Sequence, residues 1–370
     1  MNVFGSKELK EDVISSGRCI GCGACIHLCP YFESYKGKTA CLFPCTLEQG
    51  KCFALCPKVE VDLDALSRHI FAQPYINNPL GSYRFIKVSK AGPKAHRGDV
   101  QSGGTVSSLM SFALKSGKID AAVLTGKKGI LPVPCLVTDP DEVYRCSGSK
   151  YTAAPTLSAL NQAIAMGYRQ IGIVGTPCQT LAVAQLRSNP LKEEDFNDPV
   201  AWVVGLFCTW SLDFRLFEPF ISKRVGIDKI KKVDIPPPPA NVFEIYTDTE
   251  KIEVPLDEIR QLISESCAFC PDMTSEFSDV SVGVLEGHPG MNTMIVRTER
   301  GEQWVAEAEK QGYLIVEDMP QENLDHLIMA AGNKKRISLE KADKAGLLNT
   351  TGENQRALFR FSEKVRIHRV

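Results

Sequence analysis

Eight cysteines crowd the interval from Cys19 to Cys56, and no other feature of the chain narrows its possible folds as much. So dense a cluster either cross-links itself through disulfides or ligates metal. The N-terminal residues lack the basic-then-apolar order of a secretory signal, which implies a reducing compartment where disulfides rarely persist. Ligation is the better reading.

The segment CIGCGACIHLCP places Cys19, Cys22, Cys25 and Cys29 in the order C-x2-C-x2-C-x3-C-P, the run of bacterial two-cluster ferredoxins. Short gaps let three thiolates of one tight loop grip three corners of a cubane, while the fourth points to a neighbouring cluster. A second run, Cys41, Cys45, Cys52 and Cys56-Pro57, keeps the C-P ending with its first gaps stretched. Exchanging the fourth cysteines gives Cys19, Cys22, Cys25 and Cys56 for one [4Fe-4S] cluster and Cys29, Cys41, Cys45 and Cys52 for the other. Two structural zinc sites are the alternative, although a zinc ribbon has no need for three successive short gaps followed by C-P.

The rest of the chain has the composition of an ordinary globular protein, with 44% hydrophobic and 24% charged residues among 370, enough for two or three domains. Lys+Arg (43) and Asp+Glu (44) nearly cancel, so no basic field invites nucleic acid. No apolar run approaches the roughly 18–20 residues that span a bilayer. The expectation is a cytoplasmic protein, at most peripheral to a membrane complex. No Ser-His-Asp set, paired carboxylates or H-E-x-x-H helix is present, and the six histidines are scattered, which leaves acid-base hydrolysis without support.

After a helix-like VDLDALSRHI, the turn-rich stretch from Gln73 to Gly81 marks a domain boundary. Beyond it, amphipathic helices alternate with apolar strands, the pattern of an α/β domain with a substantially parallel sheet. Gly104–Gly117 and Thr156–Gly167 read as helices, IDAAVLT, IGIVG and VAWVVGLFC as strands. The alternation then stops: Pro236–Pro239 break regular structure, VFEIYTD and KIEVPL read as a hairpin, and this half is α+β.

Four more cysteines lie at strand ends or in a loop: Cys178 in GTPCQ, Cys208 in GLFC, and Cys267 and Cys270 in CAFCPD. Taken singly, each reads as a small buried hydrophobe. Together they are the complement of one further cubane. Cys135 and Cys146 remain, and both read as structural. QSGGTVSS (101–108) is a Gly-rich turn before a helix, where exposed backbone amides and the helix N-terminus suit a pyrophosphate, though it is not a G-x-G-x-x-G fingerprint. Lys150 and Tyr151 add a cation and an aromatic face, or serve as ordinary surface and core.

In order, QSGGTVSSLMSFALKSGKIDAAV, SGSKYTAAP, GTPCQ, GLFC and CAFCPDMTSEFSDVSVG resemble the blocks of the coenzyme F420-reducing hydrogenase beta subunit and its dehydrogenase relatives. With the cysteine-rich N-terminus, the layout is most similar to the F420H2 dehydrogenase input subunit. The resemblance implies FAD near Gln101, Ser102, Gly103, Gly104, Thr105, Lys150 and Tyr151, and a third [4Fe-4S] cluster on Cys178, Cys208, Cys267 and Cys270. It further implies coenzyme F420 as the small-molecule hydride carrier, and as partners other redox subunits of a hydrogenase, dehydrogenase or heterodisulfide reductase-like complex. The chain departs from the pattern at Ser102, where relatives carry Asp, at Met273, where an aromatic is usual, and at His288-Pro289-Gly290-Met291, where Asp-Gly-Trp is common.

The expected fold class is therefore α+β/α/β. A ferredoxin-like 2[4Fe-4S] domain (1–75) precedes a mixed α/β flavin-binding domain (76–348) and a C-terminal tail (349–370), mobile or a partner-binding arm. The expected function is hydride exchange between F420 and FAD with single-electron relay through clusters, the alternative being a flavin-free or F420-independent relay.

Overall fold

The computed structural model describes residues 2–95, 100–236, 240–352 and 356–362. Most of the proline run expected to break structure, positions 237–239, lies outside these, as does much of the expected tail.

The cysteine-rich unit holds little regular structure. It comprises the short helix α1 (Ser6–Leu9), a hairpin of β1 (Phe32–Tyr35) and β2 (Lys38–Cys41), the turn of helix α2 (Lys51–Ala54), and β3 (Val61–Asp62) leading into α3 (Leu63–Phe71). The Asp62 side chain caps α3 by accepting from the Ala65 amide, and Ala72 ends it in a left-handed conformation. What the loops lack in ladders they gain in close approach to the rest of the chain. Gly21 has φ +65°, and a Cβ there would lie 2.0 Å from the Gly37 carbonyl oxygen; Gly23 has φ +86°, and its Cβ would meet the Pro155 oxygen at 2.5 Å. Both glycines of the first cysteine run are therefore obligatory.

The large domain is built on an eight-stranded sheet. Its strands are β4 (Phe85–Ala91), β5 (Ala121–Lys128), β6 (Leu131–Val137), β7 (Ile171–Gly175), β8 (Val200–Leu206), β12 (Val280–Val284), β13 (Asn292–Val296) and β14 (Leu314–Asp318), in the order β14-β4-β13-β12-β8-β7-β5-β6. β5, β7, β8 and β12 run parallel, and the strands outside them are antiparallel. The parallel centre explains why IGIVG is buried throughout and VAWVVGL nearly so: both faces are covered, and Trp202 is fully enclosed. Burying each such side chain contributes roughly 1.5–3 kcal/mol. The covering helices are α4 (Thr105–Lys115), α5 (Leu157–Ala165), α6 (Pro177–Arg187) and α9 (Glu299–Lys310), so both expected helices and the expected strands form where their periodicity places them. The hairpin of β10 (Val242–Tyr246) and β11 (Lys251–Pro255) also forms, with β9 (Lys232–Asp234) as third strand. It packs with α7 (Phe214–Ser222) and α8 (Leu256–Arg260) as a separate apolar cluster. The 24-residue helix α10 (Gln321–Lys344) lies across the cysteines of the large domain.

Two expectations change. First, the cysteine-rich unit shares its core with the large domain: Ile20, Cys22, Ala24 and Leu55 pack with Val123, Leu157, Ile171 and Val203. Second, the segment after Leu348 is no free tail in its described part. β15 (Leu348–Asn349) and β16 (Phe359–Arg360) form a parallel three-stranded sheet with β3, in the order β15-β16-β3. Leu358, Phe359 and Phe361 are buried beside Leu63 and Leu66, because exposing three large apolar side chains costs more than ordering a short strand.

Candidate iron-sulfur and flavin sites

Cys19, Cys22, Cys25 and Cys56 line one cavity, together with Leu9, Val13, Ile20 and Thr39. Its walls are held from outside the unit. Asn161 of α5 donates to the Ala24 and Ile26 carbonyls at 3.0 and 2.6 Å, Gln185 of α6 donates to Cys56 O at 2.9 Å, and Lys38 Nζ donates to Cys19 O at 2.7 Å. Cys56, from the second run, joins the first three cysteines of the first run at this cavity. In the second set, Cys52 faces Cys29 and Cys45. Cys41 ends β2 with its Sγ toward the Phe43 carbonyl, 3.3 Å away. Cys29 is exposed, and Leu42, Phe43 and Leu47 beside this set are exposed as well.

Cys178, Cys208, Cys267 and Cys270 converge although up to 92 positions separate them. Parallel neighbours make this possible: Cys178 follows the carboxyl end of β7 and Cys208 that of β8, so both emerge at the same edge of the sheet. A 3-10 turn, Glu265–Phe269, brings Cys267 and Cys270 to them, and Ser338 of α10 donates to Cys270 O at 2.9 Å. A cavity beside this group is lined by Cys178, Cys270, Pro57, Lys58 and Asp272. Pro57 and Lys58 also line the Cys19–Cys56 cavity, so one wall separates the two.

Burial pushes these thiols up: Cys25 to about 12, Cys52 and Cys178 to about 11, and Cys22, Cys56, Cys208 and Cys267 upward as well. Loading metal must therefore displace protons. Among the described residues, no three His, Cys, Asp or Glu stand as a ready-made ligand set for a metal ion. Charge supplies a second test of fit. Lys58 is 4% exposed with its Nζ on Ser266 O at 3.1 Å, and Lys334 Nζ donates to Cys208 O at 2.6 Å and Asp272 O at 2.8 Å. Cations resting on carbonyls around four thiols suit an anionic, thiolate-held group.

The pyrophosphate-type segment is organised around Gln101. Its Nε2 donates to Tyr151 Oη at 3.1 Å and to Asp234 of β9, while its Oε1 accepts from the Ser149 amide. Tyr151 Oη also donates to Asp234 at 3.2 Å, and the ring meets Phe243 edge-on. Burial, then the Asp234 charge, raises the Tyr151 phenol. Asp234 was not evident from sequence, since it stands in a short lysine-flanked strand that reads as surface. Gly103 is packed against Asn292, Thr105 Oγ1 lies 2.9 Å from Ser89 Oγ, and Gly104 starts α4 at φ +75° with no side-chain cap. Lys150 Nζ donates to Cys146 O and Ser147 O. Ser102 Oγ donates to Met291 O at 2.8 Å, which joins two of the departures from the family pattern. Cys135 and Cys146 pack on the main core, their sulfurs 2.6 and 3.9 Å from where a Cβ on Gly126 would stand.

Tyr151 also reaches the cysteine group. Its carbonyl accepts from the Leu212 amide at 2.7 Å, and the neighbouring Ser211 amide donates to Cys267 Sγ at 3.3 Å. Segment, cysteine group and N-terminal cavity are therefore contiguous.

Among the described residues, no helix is long and apolar enough to cross a membrane. Residues 12–31 match a 4Fe-4S binding domain, residues 88–161 the N-terminal part of the coenzyme F420 hydrogenase/dehydrogenase beta subunit, and residues 168–322 its C-terminal part. The chain is 32% identical over 303 residues to a subunit of the F(420)H(2) dehydrogenase of Methanosarcina mazei, covering 79% of this chain and 83% of that one. It is 28% identical to the coenzyme F420 hydrogenase subunit beta of Methanothermobacter thermautotrophicus, over 72% of this chain and 94% of that one. To the coenzyme F420-dependent sulfite reductase of Methanocaldococcus jannaschii it is 29% identical over 79% of this chain, which spans only 46% of that relative. A chain of the F420-reducing [NiFe] hydrogenase complex from Methanosarcina barkeri superposes with a TM-score of 0.66 at 25% identity, over 75% of this chain and 97% of that one. With its 4Fe-4S domain, the chain is an iron-sulfur oxidoreductase component, and it belongs to the family of coenzyme F420 hydrogenase/dehydrogenase beta subunits.

Proposed function

We propose that this chain is the hydride-input subunit of a larger redox complex, exchanging a hydride with reduced coenzyme F420 and relaying single electrons to a partner subunit. The observation that carries this reading is contiguity. Tyr151 touches the loop that donates to Cys267, and the group around Cys267 shares the Pro57–Lys58 wall with the cavity of Cys19, Cys22, Cys25 and Cys56. On this reading three [4Fe-4S] clusters occupy the three cysteine sets named above. FAD lies at Gln101, Ser102, Gly103, Gly104, Thr105, Lys150 and Tyr151. FAD, when bound, accepts a hydride and releases its electrons singly, which clusters require. The chain's own residues do the placing: the N-terminus of α4, where only the Thr105 amide meets a side chain, Asn292 at 3.4 Å, and the Lys150 ammonium hold phosphate oxygens, and the Gln101-Tyr151-Asp234 contacts fix the wall beside them. The Cys29, Cys41, Cys45, Cys52 set, with Cys29 exposed, is the exit toward the partner.

A second reading, a flavin-free relay, draws on the Ser102–Met291 contact, which links two positions that depart from the family pattern. The experiment separates them. Anaerobically loaded protein is expected to contain about twelve iron and about twelve acid-labile sulfides per chain, three sets of four ligands. It is also expected to bind FAD, and reduced F420 should bleach that flavin rapidly in a stopped-flow instrument while NADH does not. Bleaching by NADH alone overturns the choice of hydride donor, and clusters without flavin establish the relay.

A further inference from the structure

The dispersed cysteine group is surrounded by more positive charge than the peptide itself neutralises. Lys58 and Lys334 end on backbone carbonyls. Next to them, Lys335 pairs with Glu276 at 2.8 Å, both almost fully buried, and buried Arg297 donates to Leu80 O, Ser82 O and Thr274. The Asp272 carboxylate makes no hydrogen bond to Lys334 and acts on it only as a nearby charge, its oxygens accepting from the Thr274 and Glu276 amides at 2.9 and 2.8 Å. Lys58, Lys334, Lys335 and Arg297 against Asp272 and Glu276 leave two positive charges. Around Cys19 and Cys56 each nearby cation other than Lys58 has a carboxylate: Lys38, which donates to Cys19 O, has Asp213 3.6 Å away, Arg215 pairs with the same Asp213, and Arg18 lies between Cys56 and Asp12.

Resting on the reading that a [4Fe-4S] cluster is held by Cys178, Cys208, Cys267 and Cys270, we propose that Lys334 is a positioning residue that raises the reduction potential of that cluster alone, while Lys58, in the shared wall, raises both this potential and that of the Cys19–Cys56 cluster. A cluster held by four thiolates is anionic and becomes more so on reduction, so a fixed cation in a poorly solvated place stabilises the reduced form. Lys334 reaches its position from α10 and touches only the dispersed group, through Cys208 O and Asp272 O, whereas Lys58 faces both cavities. The innermost site, next to the flavin-type segment, thereby becomes the place where an arriving electron is held.

The test is an anaerobic redox titration of the full chain, followed cluster by cluster by electron paramagnetic resonance, with iron counted in each sample. Lys334→Met and Lys334→Gln are both expected to move the dispersed cluster to more negative potential and leave the N-terminal pair unmoved. Lys334→Arg restores the wild-type value, and Lys58→Met moves two clusters. Gln retains a donor to the carbonyls without the charge, so a wild-type potential in Lys334→Gln means that the hydrogen bond acts and the charge does not, which overturns the proposal. Full iron with no shift in either neutral variant, or an equal shift of all clusters, also overturns it. Wild-type protein with about eight iron removes the dispersed cluster itself, a failure of the underlying reading and visible before any variant is made.

Discussion

At Lys150, burial and charge pull against one another. Desolvation brings its ammonium down to about 8, against the opposing charges of Cys146 and Cys135 and with the help of Lys127. If this side chain holds a phosphate of FAD, affinity weakens as pH rises through about 8, because the cation is lost. Equilibrium titrations of flavin fluorescence on both sides of that value should show the decline, and Lys150→Met should bind weakly with no such dependence. Stability moves in the opposite sense. Between about 8 and the ordinary lysine value of 10.5 the unfolded chain holds the proton that the folded chain has released, so raising pH across that window stabilises the fold. Lys335 obeys a different rule, since its charge is met at 2.8 Å by Glu276. Lys335→Met strands a buried carboxylate and is expected to cost about 3–5 kcal/mol in denaturant unfolding.

Among elements, those whose residues repeat with a clear period were legible in advance. α4, α5, β7, β8 and the β10–β11 hairpin stand where their apolar spacing puts them. The first cysteine run was legible for a different reason, as its spacing encodes a ligand geometry and not a packing face. Two things escaped. Lys334 and Lys335 sit in the run NKKR on a charged helix, which reads as a solvated face until the other side of α10 is known to press on Cys208 and Glu276. β16 escaped because a two-residue parallel strand has no period, and its partner β3 lies at the opposite end of the sequence. Removing residues from Arg356 onward is expected to lower stability by several kcal/mol, from the loss of buried Leu358, Phe359 and Phe361. A truncated chain with unchanged thermal unfolding would show that this strand contributes nothing.

For the molecule as a whole, the shared core of the cysteine-rich unit and the large domain governs what damage does. Ile20, Cys22, Ala24 and Leu55 pack with residues of β5, β7, β8 and α5, and Gly23 touches Pro155 too closely for any other residue. Cys267 packs only at the edge of that core, and serine keeps nearly its size, so on the three-cluster reading Cys267→Ser is expected to lose about a third of the iron while the spectra of the N-terminal pair persist. Changes inside the shared core, such as Gly23→Ala, should instead reduce iron at the first set and lower the stability of the entire chain in one cooperative transition.

The three-stranded sheet of β15, β16 and β3 has a consequence for synthesis. The cysteine-rich unit leaves the ribosome long before β16, yet β3, a short way after Cys56, finds its partner only when Phe359 and Arg360 have been made. At roughly 5–20 residues per second, that interval is on the order of tens of seconds. Throughout it, eight thiols stand at the mouth of an unfinished protein, open to wrong metals and to one another. If these thiols bind clusters, either the clusters are delivered while the chain is still growing, or the nascent thiols must be shielded until β16 completes the sheet with β3.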